Sequence, residues 1–355
     1  MEKFDSEESD DEWFFESIKR YEDLLMYDVQ GFVTCATFSG DDRLLLAVSR
    51  EHLHEVWELS IPDKVVARKD AGLVRNRDFT LLAAGYTGSL VKQMLYVSAG
   101  VVTSGSCGIY LYSIPQSKDE SDVISLNSIL RSDVKDATLA LSGATVYSGT
   151  SLSSISSFNL NSQAASDLPE ICNNTTNSST WGCNDMISNM SCVSEKLFIG
   201  LRDKGNVLLC DPRTGRVAQE IVVPESSGEI WTMDVSCDGG SVVIANSCGV
   251  LNVFDLRNNI KSIFATSMKV QKKKVVNHRV CISPGDSLLS VSGYDKHIQV
   301  FNLKIPETNG ESIFSHDGHR GHNVQNIVTH LWHPTQKKLL FSADDTGKLQ
   351  AWRFK

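Results

Sequence analysis

The 355-residue chain has no apolar run approaching the roughly 20 residues needed to cross a bilayer as a helix. Its first residues lack the basic start and apolar core of a signal peptide. The expectation is a chain neither inserted in a membrane nor secreted. Its nine cysteines then belong in a reducing compartment as free thiols. Their odd number and irregular spacing also speak against a disulfide framework. The Asn-x-Ser/Thr triplets at Asn173, Asn174, Asn177 and Asn189 read as chance matches in a polar stretch.

Signatures of catalysis are also missing. Gly200-Leu-Arg-Asp-Lys-Gly205 has the glycines of a phosphate-binding loop, but Asn206-Val207 stands where Lys-Ser/Thr is required, so it reads as a strand turn. There is no His-Glu-x-x-His, and no pair of carboxylates sits in a catalytic frame. His316, His319 and His322 are three apart, with His330 and His333 nearby. One helical turn could gather the first three on zinc, but Gly318 and Gly321 make a helix poor there. Structural or surface roles are expected instead. A Cys172/Cys183 metal pair is set aside too, and Cys107, Cys210, Cys237, Cys248 and Cys281 read as thiols in or beside strands. The expectation is no catalytic residue, no metal and no cofactor.

Charge is unevenly spread. The net charge is −9, and seven acids against Lys3 place −6 of it in residues 1–12. That tail reads as solvated, and the acidic balance argues against direct DNA binding. Carboxylates are absent between Asp255 and Asp286, an interval that holds Arg257, Lys261, Lys269, Lys272, Lys273, Lys274 and Arg279. It reads either as a solvated connection or as a patch for an acidic partner.

What is present is a repeat. Ile327–Trp332, Lys338–Ala343 and Leu349–Trp352 read as three short strands, split by His333-Pro-Thr-Gln336 and Asp344-Asp-Thr-Gly347. Related units end their third strands near Trp57, Tyr112, Phe158, Cys210, Phe254 and Phe301, at spacings of 44–55 residues. The unit resembles one blade of a WD40 β-propeller, and seven copies are counted. Lys64–Tyr86, Leu160–Asp185 and Lys304–Gln325 read as insertions. The last copy lacks a fourth strand, and Leu25–Val29 is the candidate to supply it and close the ring. Upstream, Phe14, Ile18, Tyr21 and Leu25 fall at helical spacing. The fold expected is all-β: a seven-bladed propeller over residues 25–355, preceded by an acidic tail and short amphipathic helix over 1–24. Family members bury a hydrogen-bonded tetrad of His, Ser/Thr, Asp and Trp in each blade. Here the candidates are Asp295, without a Trp at Phe301, and in the last copy Ser342, Asp345 and Trp352 with His319 or His322.

Three stretches together narrow the resemblance. They are Asp11-Glu-Trp13…Glu16-Ser-Ile18…Tyr21…Tyr27-Asp28…Gly31, then Gly72-Leu73…Arg77-Asp-Phe79…Gly85-Tyr86…Ser89, then His316…Gly318-His319 with Val328-Thr-His330…Trp332-His-Pro334. The chain is similar in these motifs to the WD repeat-containing protein 73 family. The resemblance implies a non-enzymatic cytoplasmic scaffold, present also in the nucleus or at spindle poles. It implies links to the Integrator complex and snRNA processing, through its metallo-β-lactamase-type endonuclease subunits and their HEAT-repeat companion, and to microtubule and spindle organisation. The protein would act as a monomer within a hetero-complex, away from membranes. The other reading kept open is a substrate receptor of a ubiquitin ligase or a chaperone adaptor.

Three regions are candidates for partner binding. Arg75, Arg77, Asp78 and Phe79 combine forked cations with an aromatic, although an Arg-Asp pair could instead pin a loop. Lys272, Lys273 and Lys274 would steer an acidic partner. Trp13, Phe14 and Ile18 would form the apolar face of the N-terminal helix, docked on a partner or on its own domain.

Overall fold

The computed structural model describes residues 15, 19–62, 77–98, 100–116, 121–169, 171, 185–202, 205–223, 230–257, 261–268, 270, 278–304, 311–320, 324 and 326–355. Its strands form seven four-stranded antiparallel sheets. Six run in simple chain order: blade 1 from Phe32 to Thr87, blade 2 from Val91 to Arg131, blade 3 from Thr138 to Asp167, blade 4 from Ile187 to Ile221, blade 5 from Trp231 to Ser267 and blade 6 from Arg279 to His316. Blade 7 takes three strands from Ile327–Phe354 and its fourth from Tyr21–Asp28. The first strand of each blade neighbours that of the next, and Phe32–Phe38 neighbours Ile327–Trp332, so the ring is closed.

The second strands explain why this ring is stable. Arg43–Arg50 contains Leu44-Leu-Leu-Ala-Val48, a continuous apolar run. Alternation sends Leu44, Leu46 and Val48 into the gap with blade 7, and Leu45 and Ala47 into the gap with blade 2. A strand buried on both faces reads as an unbroken apolar stretch. Each of the seven gaps between blades holds one such cluster. The seven aromatic-like markers, Trp57 through Trp352, all lie on third strands.

The closing strand begins at Tyr21, four residues before the sequence-based boundary. It pairs antiparallel with Lys348–Phe354, from Tyr21↔Phe354 to Asp28↔Lys348. Tyr21 and Leu25 are therefore strand residues and not part of a helix. Phe15 is exposed in a helical position, while Trp13, Phe14 and Ile18 lie outside the described residues. The three expected insertions are also corrected. They take in nearly all of Thr80–Thr87 and the whole of Ala164–Asp167 and Phe314–His316, the outer strands of blades 1, 3 and 6.

Blade 1 carries one more feature. The backbone of 122–124 runs beside its outer strand: Ala84 N–H donates to Asp122 O (2.9 Å) and Ile124 N–H to Ala84 O (2.8 Å). Glycine at 85 permits this approach, since a Cβ there would sit 2.0 Å from Ile124 O.

Candidate functional site at the ring closure

The polypeptide re-enters blade 1 at Arg77-Asp-Phe79. Arg77 and Asp78 are exposed, and Asp78 Oδ1 accepts the Phe79 N–H (2.9 Å). Phe79 is only 5% exposed. Its ring centroid is 5.4 Å from Tyr27 of the closing strand and 6.1 Å from Phe341 of blade 7. The expectation of Phe79 as a docking side chain is overturned, because it fills the gap between the first and last blades. Arg75 and Lys272–Lys274 lie outside the described residues. Within each blade the strand direction alternates, so connections between third and fourth strands open on one face of the disc and connections between blades on the other. Arg77 belongs to the first kind. Met268 and His278, which bracket the basic run, belong to the second.

Blade 7 holds a complete tetrad. Trp352 Nε1–H donates to Ser342 Oγ (3.1 Å), Ser342 Oγ lies 2.8 Å from His319 Nε2, and His319 Nδ1 lies 2.8 Å from Asp344 Oδ2. With the indole donating to Ser342, the hydroxyl proton goes to Nε2 and the imidazole proton sits on Nδ1, facing the carboxylate. All four residues are buried. Asp344 replaces the expected Asp345 because its side chain points into the blade. There its Oδ1 also accepts Thr346 N–H (2.9 Å), Thr346 O–H (2.6 Å) and Lys348 N–H (3.1 Å). Burial alone would raise the Asp344 carboxyl, but His319, Thr346 and Lys348 outweigh it and hold it below the usual carboxylate range. Asp345 instead accepts Asn326 N–H (2.9 Å). Asp295 caps its own turn through His297 N–H (2.7 Å).

The tetrad extends to the closing strand through a residue not singled out from the sequence for this role. His316, from the outer strand of blade 6, stacks on Trp352 at 4.2 Å and 6° between ring planes. Its Nδ1 is 2.8 Å from Tyr21 Oη. Gln350 Nε2–H donates to Gly318 O (2.8 Å) beneath it. The signal was available: Tyr21, His316, Gly318 and His319 all stand in the family-like motifs, but their mutual contact crosses 295 residues of sequence.

First strands line an axial channel of about 480 Å³. Its charges are engaged within the wall. Lys92 Nζ meets Asp136 Oδ2 (2.7 Å), Arg279 donates to Thr329 Oγ1 (3.1 Å), and Asp234 accepts Ile282 N–H (2.7 Å) and Val235 N–H (2.9 Å). Burial pushes the thiols of Cys35 and Cys281 up to about 12, which keeps them protonated and poor nucleophiles. Among the described residues, no group of three His, Cys, Asp or Glu could hold a metal ion.

The buried imidazoles predict an acid-labile ring. Burial holds His316 well below the ordinary imidazole range, with His319 adding to it; burial and then Arg279 push His330 down to about 3. Below about pH 6.5 the unfolded chain binds these protons and the folded one does not, so stability falls as pH falls. Burial pushes Asp234 the other way, up to about 6, so it offsets part of the loss as pH drops through that value. Stability, read as melting temperature, is expected to decline from pH 7 to pH 5, with a slope that approaches about 1.4 kcal/mol per pH unit for each uncompensated histidine below about pH 6.5. Asp234→Asn should steepen the decline. A flat profile in both proteins would refute this account.

No protein-family model matches the chain. Curated relatives match it almost end to end. "Integrator complex assembly factor WDR73" of Danio rerio is 29% identical over 98% of this chain and 96% of the relative. The proteins of the same name from Mus musculus and Homo sapiens are 26% and 25% identical, each over 96% of this chain and 97% of the relative. With its seven blades and its tetrad at the seam, this chain is a WD40-type β-propeller and a homologue of the WD repeat-containing protein 73 family.

Proposed function

We propose that the protein is a non-enzymatic scaffold that supports assembly of the Integrator complex. The observation that carries this is the end-to-end similarity to proteins named as Integrator assembly factors. A ring whose channel thiols stay protonated, and whose described residues hold no metal cluster, suits a role in holding partners. The finer reading is contact with the metallo-β-lactamase-type endonuclease subunits and their HEAT-repeat companion, in the cytoplasm. A spindle or microtubule role would be secondary to it.

Affinity purification of the full chain with mass spectrometry tests the reading. Enrichment of Integrator endonuclease subunits is expected. Recovery of cullin adaptors or chaperones without Integrator subunits would overturn it in favour of a substrate receptor. Arg77, exposed where the chain re-enters blade 1, is our candidate contact. Arg77→Ala should weaken that capture several-fold while changing stability by no more than about 0.5 kcal/mol, the usual range for a surface substitution. Unchanged capture would move the contact elsewhere.

A further inference from the structure

Blade 1 turns an apolar face toward the closing strand, and among the described residues nothing covers the outer part of that face. Register defines it. Trp57 and Leu59 point into the gap with blade 7. Leu81 is the ladder partner of Leu59 and Ala84 of Trp57, and Tyr86 is one step beyond Ala84 on the same side. Leu53 alternates onto this side with Trp57. Val123 forms a parallel bridge with Ala84, which brings it to the same face. Burial decreases outward. Leu59 is fully buried and Trp57 is 7% exposed, whereas Leu81 is 47%, Leu53 54%, Val123 56% and Tyr86 69% exposed. Four large apolar side chains on one face of one blade are more than a scatter of single exposed residues. The platform is also held in place, because the bridge that sets Val123 beside Ala84 requires glycine at 85.

Acids predominate among the charges framing this face. The closing strand, Tyr-Glu-Asp-Leu-Leu-Met-Tyr-Asp, carries three acids and no base. Leu53–Ser60 carries Glu55 and Glu58, and Thr80–Thr87 carries no charge. Asp23 and Glu58 are buried against Arg353 and Arg43. Glu22, Asp28 and Asp122 remain exposed and Glu55 partly so. Of the nearby cations, Arg50 lies over the Trp57 ring at 4.5 Å, and Arg77 sits at the far end of the outer strand. An apolar platform in an acidic frame selects a segment that is apolar at its centre and basic at its margins.

We propose that this face of blade 1, centred on Tyr86 and Val123, docks an apolar segment flanked by Lys or Arg from a partner protein. Tyr86 supplies the aromatic anchor, Leu53 and Val123 lie one step from it on the same face, and Leu81 extends the platform along the outer strand. The proposal rests on the scaffold reading only in requiring a protein partner, whichever complex that partner belongs to.

Photo-crosslinking tests it. Benzoylphenylalanine is placed at Tyr86 or Val123 of the full chain in cells, with Val222, 58% exposed on the far side of the ring, as control. The crosslinked peptides are then sequenced by mass spectrometry. Both positions should yield one protein, at about tenfold or more over Val222, through a peptide with an apolar centre and basic flanks. Tyr86→Glu with Val123→Glu should cut capture of that protein about tenfold, the loss of one hot spot, with the melting temperature retained. Adducts no stronger than at Val222, or made only with an acidic segment, a second copy, or residues 63–76 of the same chain, would overturn the proposal. A basic-apolar segment from outside Integrator would keep this surface and remove the Integrator reading.

Discussion

Deleting residues 1–30 is expected to lower the melting temperature by more than 10 °C or leave the chain insoluble, whereas deleting residues 1–10 should leave it within a few degrees of the full chain. The larger truncation removes the fourth strand of blade 7. Lys348–Phe354 would lose its ladder from Tyr21↔Phe354 to Asp28↔Lys348 and present an open edge. Tyr21 and Asp23 are almost fully buried, and Leu24, Leu25 and Tyr27 pack on the clusters to either side of blade 7. His316 would lose its Tyr21 partner, and Arg353 the Asp23 carboxylate 3.3 Å away. Removing one large buried aromatic costs about 3–5 kcal/mol, and a domain has only about 5–15 kcal/mol to lose. Several such losses together should unfold the ring. If both truncations melt like the full chain, the seam is held by something other than this strand. Tyr21→Phe provides a graded version. It removes one hydroxyl and leaves a buried imidazole nitrogen without it, a cost of about 1–3 kcal/mol.

The ring could be counted from the sequence because its second and third strands are the most buried. Leu44–Val48 and Leu339–Ala343 are unbroken apolar or small-residue runs, and the third strands end on bulky residues that fill the gaps. The outer strands were hidden for the opposite reason. Ala164–Asp167 is exposed at every position and Phe314–His316 is three residues long, so neither shows a strand pattern. Thr80–Thr87 is longer, but a bulge opposite Glu58 and Leu59 breaks its alternation. The choice between Asp344 and Asp345 needed a direction that adjacent identical residues cannot provide. The contact between Tyr21 and His316 needed the closed ring itself. Phe79 was misplaced because its neighbours Arg77 and Asp78 are polar and exposed, and polar company is a weak guide to where the next side chain points.

Phe79→Ala is the substitution in which the structure and the sequence pattern predict opposite results. As a docking residue, Phe79 would be exposed, and its loss would spare stability. In the ring it meets Tyr27 at 59° and Phe341 at 73° between ring planes, joining the closing strand, blade 1 and blade 7 in one cluster. Truncation leaves a void at the seam where three chain segments meet, with little freedom to collapse because each is fixed by its own ladder. The expected cost is about 3–5 kcal/mol for the side chain, with about 0.5–1.5 kcal/mol more for each lost aromatic pair. At about 2–4 °C per kcal/mol, as found for domains somewhat smaller than this one, the side-chain loss alone should lower the melting temperature by roughly 6–20 °C, and the lost pairs add to it. Phe79→Leu keeps most of the volume and should cost less than about half as much. Partner capture would then fall in Phe79→Ala only with loss of folded protein, whereas in Arg77→Ala it would fall with the fold intact. A Phe79→Ala protein that melts with the wild type yet loses its partner would reverse this assignment and return Phe79 to the docking surface, since no filled seam could lose that ring without a change in stability.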